Sequence, residues 1–423
     1  MMGETDMLNL NPQELRQLQL ERVQSTLNRA YRNVPFHRNR QNEIARQTGK
    51  DPSMIENLED IARLPFMKRS HLGEHYPYGL FAVPLRDIVR IHTAPGTTLH
   101  PTVSGYTRQD LGIWRELVAR SLTAAGITSH DILQISLDTG LANWGRDYKD
   151  GAESLDIAVI PNTPLSPEKQ MMIIRDYKIS VLVTTPSEAA QLADRMFTAD
   201  LNPTSLNLSH LILVGEPADR EFRNRLEQQL HVTAWMHYGL SEVPGPAIAF
   251  ECPAHEGLHI HEDHFLPEII DPLSGEVLPS GQSGELVLTT LMTRAFPLIR
   301  FRTGDRARIT EGRCACGSSL VRMDWLEGRT DDILNVNGVK VHRNQILHSV
   351  NRILGFVPDF ALSVISRYGE KNWLEIRIDM DDRLFSDEIK EIERRIHTLT
   401  GQLRENLGVP LAVRIREKPV QTP

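Results

Sequence analysis

The chain has 423 residues, 40% of them hydrophobic and 24% charged, enough for two or three cores in an ordinary globular protein. Its formal net charge of −8 lacks the basic footprint that nucleic acid or a polyanionic membrane surface requires, so a small molecule or another protein is the expected partner. The three cysteines, Cys252, Cys314 and Cys316, cannot form a full disulfide framework and fit a reducing cytoplasm, the expected location.

The amino end, Met1 to Gln41, is polar and broken, and reads as neither a secretory signal nor a membrane span. Helical spacing runs from Leu15 to Tyr31 and stops at Asn33-Val34-Pro35, and a second helix-and-turn unit reaches Leu64-Pro65. A strand-like run, Asp87 to His92, leads into a small-residue loop, Thr93 to His100, and a second strand, Thr102 to Tyr106. Thr107 and Asp110 have the spacing of a capping pair for a helix ending near Gly126. Apolar runs at 131–135, 157–160, 181–184, 211–214 and 232–235 then alternate with helix-length segments such as Ser166 to Tyr177, the pattern of a parallel sheet covered by helices. After Tyr238 the pattern turns to loops and short alternating strands, and a smaller, mostly antiparallel β region is expected. From about Gly328 a strand pair, a helix, two strands, a long helix and a closing strand read as an independent module. The expected fold is α/β: a large domain, residues 1–328, of helix-covered parallel sheets plus a small β region, and a small α+β domain, 329–423, that moves on a hinge.

Several segments resemble the adenylate-forming superfamily, and within it the phenylacetate-CoA ligase branch. The resemblance spans nearly the whole chain, from Asn33-Val34-Pro35-Phe36 and Leu64-Pro65-Phe66 to the last strand. Its most diagnostic stretch is Tyr238-Gly239-Leu240-Ser241-Glu242, followed by Gly245-Pro246 and Glu251-Cys252; alone, the pentapeptide would read as a strand end with a polar turn. The resemblance makes Glu242 a Mg²⁺ ligand, since that hard ion prefers oxygen, and sets Tyr238 and Gly239 beside the adenine and the acyl carboxylate. It makes Asp305, in Phe301-Arg302-Thr303-Gly304-Asp305, the acceptor for the ribose hydroxyls. In Gly328-Arg329-Thr330-Asp331-Asp332 it makes Arg329 a nucleotide contact and Asp331 the hinge. Gly338, in Asn337-Gly338-Val339-Lys340, would line the pantetheine channel, and Gly215, Glu216 and Pro217 would stand on the adenine side.

Where the family's phosphate loop reads Gly-Thr-Thr-Gly-Lys-Pro, this chain has Thr93-Ala94-Pro95-Gly96-Thr97-Thr98-Leu99-His100-Pro101. Pro95 removes an N–H donor, Leu99 resists the positive φ a glycine allows, and His100 stands in place of the lysine point charge. Gly96, Thr97 and Thr98 remain as phosphate contacts, so a weaker hold is expected. The sequence given stops at Pro423, before the family's terminal lysine segment, and Lys418 reads as a solvated lysine; adenylation is therefore expected to be impaired. The segment that cups the acyl group would include Gly140, Leu141 and Trp144; Trp144 stacks on an aromatic ring or packs in the core.

Cys252, His259, Cys314 and Cys316 form a Cys₃His set suited to structural zinc, with His255, His261 and His264 competing for the fourth place and three free thiols as the bland alternative. The leading expectation is a protein that handles an aromatic or polyketide-type acyl group of secondary metabolism and the phosphopantetheine thiol of CoA or an acyl carrier protein, transferring thioesters with ATP, AMP and Mg²⁺ in a doubtful role. His237, His100 and His92 are candidate general bases. The alternatives are an ATP-dependent aryl-CoA ligase and a non-catalytic partner of a pathway protein. A homodimer is compatible with each, and neither nucleic acid nor membrane is an expected partner.

Overall fold

A computed structural model describes residues 11–49, 55–94, 101–137, 141–162, 165–243, 245–365, 372–380 and 389–416. The chain opens with helix α1 (Pro12–Asn33), whose Asn11 cap accepts from the Gln13 and Glu14 amides, and Pro35 starts α2 (Pro35–Thr48) after one extended residue. A short α3 (Arg69–Glu74) and the hairpin of β1 (Arg90–Ala94) and β2 (Thr102–Tyr106) follow.

Thr107 then caps α4 (Arg108–Ala124). The Asp110 carboxylate reaches back to the Thr107 amide at 2.8 Å and also accepts from the Arg294 and Ala295 amides at 2.7 and 3.2 Å. The predicted capping pair is thus also a long-range cross-link.

Strand and helix next alternate through β3 (Ile132–Ile135), α5 (Ala142–Glu153), β4 (Ala158–Ile160), α6 (Pro167–Asp176), β5 (Val181–Thr184), α7 (Pro186–Thr198), β6 (His210–Leu213), α8 (Arg220–Leu230) and β7 (Thr233–Tyr238). These strands pair in parallel in the order β4-β3-β5-β6-β7. Their side chains alternate between two cores. Leu182, Leu211 and Leu213 join Ala190, Met196 and Leu226 of α7 and α8, whereas Val181, Val183 and Ile212 join Val118, Leu122 and Tyr148 of α4 and α5. Helices therefore cover both faces, which is why these strands read as unbroken apolar runs.

The sheet continues without a break into an antiparallel half: β8 (Ala249–Glu251), β9 (Leu258–Ile260), β10 (Phe265–Ile270), β11 (Ser283–Thr290), β12 (Phe301–Thr310) and β13 (Arg322–Arg329). The order from β7 is β8-β9-β13-β12-β11-β10, giving eleven strands among the described residues. β13 goes beyond the sequence reading, because Arg322-Met323-Asp324-Trp325 leaves its outer positions half-exposed and the apolar alternation is weak.

The last segment has its own core. Hairpin β14 (Ile333–Val336) and β15 (Val339–His342) leads into α9 (Arg343–Leu354), and the sheet β16 (Phe360–Ile365), β17 (Trp373–Asp379) and β18 (Leu411–Arg416) packs against α10 (Ile389–Leu407). Leu374, Ile376 and Ile378 of β17 bury against Leu399 and Leu403 of α10. No helix among the described residues is long and apolar enough to cross a membrane.

Candidate functional site

The end of β7, the middle of β12 and the end of β13 bring three motifs to one buried point. Tyr238 donates its hydroxyl to Asp305 Oδ2 at 2.8 Å, and Arg329 donates to Asp305 Oδ1. Arg329 also donates to the Thr303 carbonyl at 2.8 Å and forks onto Asp331 at 2.7 and 2.9 Å. This clamp explains Gly304, whose φ is +74° and where an added Cβ would lie 2.1 Å from Asp331 Oδ2. Burial opposes ionisation of Asp305, but Lys340 and Arg329 outweigh it and hold the carboxyl below its usual range.

Glu242, 2% exposed, forms a second buried pair, its Oε1 lying 2.8 Å from Arg69 Nε at the start of α3. Its Oε2 has no hydrogen-bond partner among the described residues. Burial again works against the charge, and Arg69 and Lys340 overcome it. Arg69 is a member of this buried cluster that the sequence reading missed: its donor Nη2 reaches the Thr303 carbonyl at 3.4 Å across 234 residues of chain, with no local motif to announce it.

The β14–β15 hairpin seats beside the ends of the parallel strands. Asn335 Nδ2 donates to the Gly215 carbonyl at 2.8 Å, and Gly338, at φ +80°, turns so close to Leu141 that a Cβ would stand 2.6 Å from its Cδ1. Glu216 accepts from the Ser187 hydroxyl and amide at 3.0 and 3.1 Å, and Pro217 follows it in the loop after β6. Gly239 packs against Pro246, where an added Cβ would be 2.7 Å from the Pro246 Cα. Leu141 and Trp144 are both buried in the core beside α5, which gives Trp144 a packing partner set rather than an open face.

His237 is a correction to the list of candidate bases. It is fully buried, its Nδ1 is hydrogen-bonded to the Tyr148 hydroxyl at 2.8 Å, and burial lowers its pKa to about 3, far from a base working near neutrality. His92 is lowered to about 4 by burial and packs edge-on against Tyr106. Gly96, Thr97, Thr98 and His100 of the loop, Gly140 and Lys418 lie outside the described residues.

Burial of histidines gives the stability a pH dependence. His37, His92 and His237 are lowered to about 4, 4 and 3, so the unfolded chain takes up protons below about 6.5 that the folded chain does not. His71, His210 and His342 are shifted the same way. Asp147 and Glu262, raised to about 7 by burial, act oppositely: their contribution is present at low pH and lost as pH rises through 7. The expected result is a urea midpoint highest near pH 6.5, falling steeply toward pH 4.5 and gently toward pH 8. A midpoint that keeps rising from pH 6.5 down to 4.5 would contradict this.

The cysteines come together elsewhere, between the β8–β9 turn and the β12–β13 turn. One ligand atom each from Cys252, His259, Cys314 and Cys316 lies within 4.8 Å of the others. Cys252 and Cys314 sulfurs are 3.7 Å apart and Cys316 Sγ is 3.4 Å from His259 Nε2, while His259 Nδ1 faces the Leu320 carbonyl at 3.2 Å. The competing histidines are engaged elsewhere: His255 stacks on Trp235, His261 meets Ser121, and His264 faces Asp263.

No family model matches the chain. It is 38% identical to a phenylacetate-coenzyme A ligase of Thermus thermophilus over 98% of its own length and 95% of that protein's, and 38% identical to one of Pseudomonas putida over 98% and 94%. The crystal structure of 2-hydroxyisobutyryl-CoA ligase with 2-HIB-AMP and CoA, in the thioesterification state, matches 98% of this chain and 88% of that one at a TM-score of 0.89, with 23% identity.

Proposed function

The chain belongs to the phenylacetate-coenzyme A ligase family, and on that premise we propose that it joins an aryl-type carboxylic acid to the thiol of coenzyme A through an acyl-adenylate, with ATP as co-substrate. One observation carries the reading: Glu242 and Asp305 are buried, held in their charged form by Arg69 and Arg329 respectively, and both face Lys340. An ionised carboxylate has about four lone-pair sites, so Asp305 keeps acceptor capacity for two ribose hydroxyls beyond Tyr238 and Arg329. The free Oε2 of Glu242 is the oxygen a nucleotide-bound Mg²⁺ would take. Gly215, Glu216 and Pro217 supply the adenine side, and the thiol arm enters past Gly338.

A second reading, thioester transfer between thiols without ATP, is favoured by Pro95, Leu99 and His100 in the phosphate loop. Two assays separate them. Acid-dependent formation of AMP and acyl-CoA across a panel of aryl acids supports the ligase. Transfer from acyl-CoA to a carrier-protein thiol without nucleotide, with no AMP in the first assay, supports the transferase. If neither product forms, both enzymatic readings fail and the non-catalytic partner stands.

We further assign zinc to Cys252, His259, Cys314 and Cys316. Tetrahedral bonds of about 2.3 Å to sulfur and about 2.0–2.1 Å to nitrogen put two sulfurs about 3.8 Å apart and a sulfur about 3.6 Å from a nitrogen. The separations of 3.7 and 3.4 Å match those edges, and the Leu320 carbonyl fixes the His259 tautomer that leaves Nε2 free to ligate. Four protein ligands leave no open position, so the ion's role is structural.

A further inference from the structure

Lys340, on β15, faces Asp305 and Glu242, yet none of the hydrogen bonds described so far involves it. Its Nζ is buried, lies 3.9 Å from Asp305 Oδ2, and has no hydrogen-bond partner among the described residues. Asp305 does not fill that role, because 3.9 Å is an ion-pair separation beyond hydrogen-bond reach. Glu242 Oε2 and Arg69 Nη1 likewise lack a hydrogen-bond partner among the described residues. The groups facing Lys340 are Asp305, Glu242, Arg69 and Arg329, so the three orphaned atoms belong to one electrostatic cluster drawn from β15, the segment after β7, and α3. A buried ammonium offers three donors, and leaving all of them unmet is costly unless a ligand completes them. The position is also built, since Asn335 on Gly215 and the Gly338 turn on Leu141 hold the same hairpin in place.

We propose that Lys340 is a catalytic residue that grips the phosphate of the acyl-adenylate during thioester formation, a role that rests on the adenylate reading given above. In that step the thiol sulfur attacks the acyl carbon and a C–S bond forms. The bond from the acyl carbon to the phosphate oxygen breaks, AMP leaves with that electron pair, and the thiol proton passes to solvent. An ammonium fixed in a water-poor site stabilises the charge that builds on the departing oxygen.

The test compares AMP with adenosine. Calorimetric titration of the full chain should show AMP binding weakened about 10- to 100-fold in Lys340→Met, the range for losing a hydrogen bond to a charged group. Adenosine, which lacks the phosphate, should bind the variant within about twofold of the parent, and Lys340→Arg should recover part of the AMP affinity. Release of AMP from a synthetic acyl-adenylate with CoA should slow by about 100-fold or more in Lys340→Met. Unchanged AMP affinity, or an equal loss for adenosine, overturns the phosphate role while leaving the adenylate reading intact. A parent chain that binds neither nucleotide overturns both. The methionine variant is expected to fold, because Asp305 keeps Tyr238 and Arg329 and Glu242 keeps Arg69 when the ammonium is removed.

Discussion

Replacing Asp305 by alanine is expected to cut acid-dependent thioester formation by at least about 100-fold and to destabilise the fold by about 3–5 kcal/mol, the cost of stripping one partner from a buried charge network. Both effects have the same origin. Asp305 takes the Tyr238 hydroxyl and an Arg329 hydrogen bond, and Lys340 faces it, so its loss leaves two buried cations with one counter-charge fewer and removes the expected ribose anchor. Asp305→Asn keeps the shape and removes the charge. It should fold better than the alanine variant yet remain well below the parent in thioester formation. Denaturant melts beside product assays check the pair, and an alanine variant that retains activity within threefold would remove Asp305 from the mechanism.

The second large effect is expected at the cysteine cluster. Protein purified without chelator should carry about one zinc per chain, and Cys314→Ser or Cys252→Ser should carry almost none, as measured by plasma mass spectrometry. Structural zinc is worth about 10–16 kcal/mol to isolated zinc-finger peptides. Here the loss is expected to fall mainly on its surroundings, because the ion would tie the β8–β9 turn to the β12–β13 turn rather than create the core. Leu320, beside the knot, packs on Leu15 of α1, so proteolysis at the amino end should accelerate in either variant. A parent chain with well below one metal and all three thiols titratable would refute the assignment.

What the sequence made legible was local or motif-borne. The Thr107–Asp110 cap, the apolar parallel strands and the Tyr238–Glu242 and Phe301–Asp305 stretches all carry their signal within a few residues. What it hid was long-range. Nothing beside Arg69 indicates that it will pair with Glu242, and nothing in β13 shows that it will lie between β9 and β12. Burial was equally invisible at His237, where imidazole chemistry suggested a base and the Tyr148 contact in a closed interior gives a neutral packing residue. Lys340 was legible as a residue of a channel motif, but not as an ammonium lacking a hydrogen-bond partner among the described residues.

The doubly used carboxylate of Asp110 has a consequence for biosynthesis. Its oxygens finish the first turn of α4 and also hold the Arg294 and Ala295 amides, the latter 185 residues downstream. A ribosome must therefore have emitted the antiparallel strands through β11 before the Asp110 carboxylate acquires its full set of donors, and the parallel half cannot mature wholly ahead of them. Long-separation closures of this kind slow folding, so the nascent amino-terminal half is the portion most in need of chaperone cover.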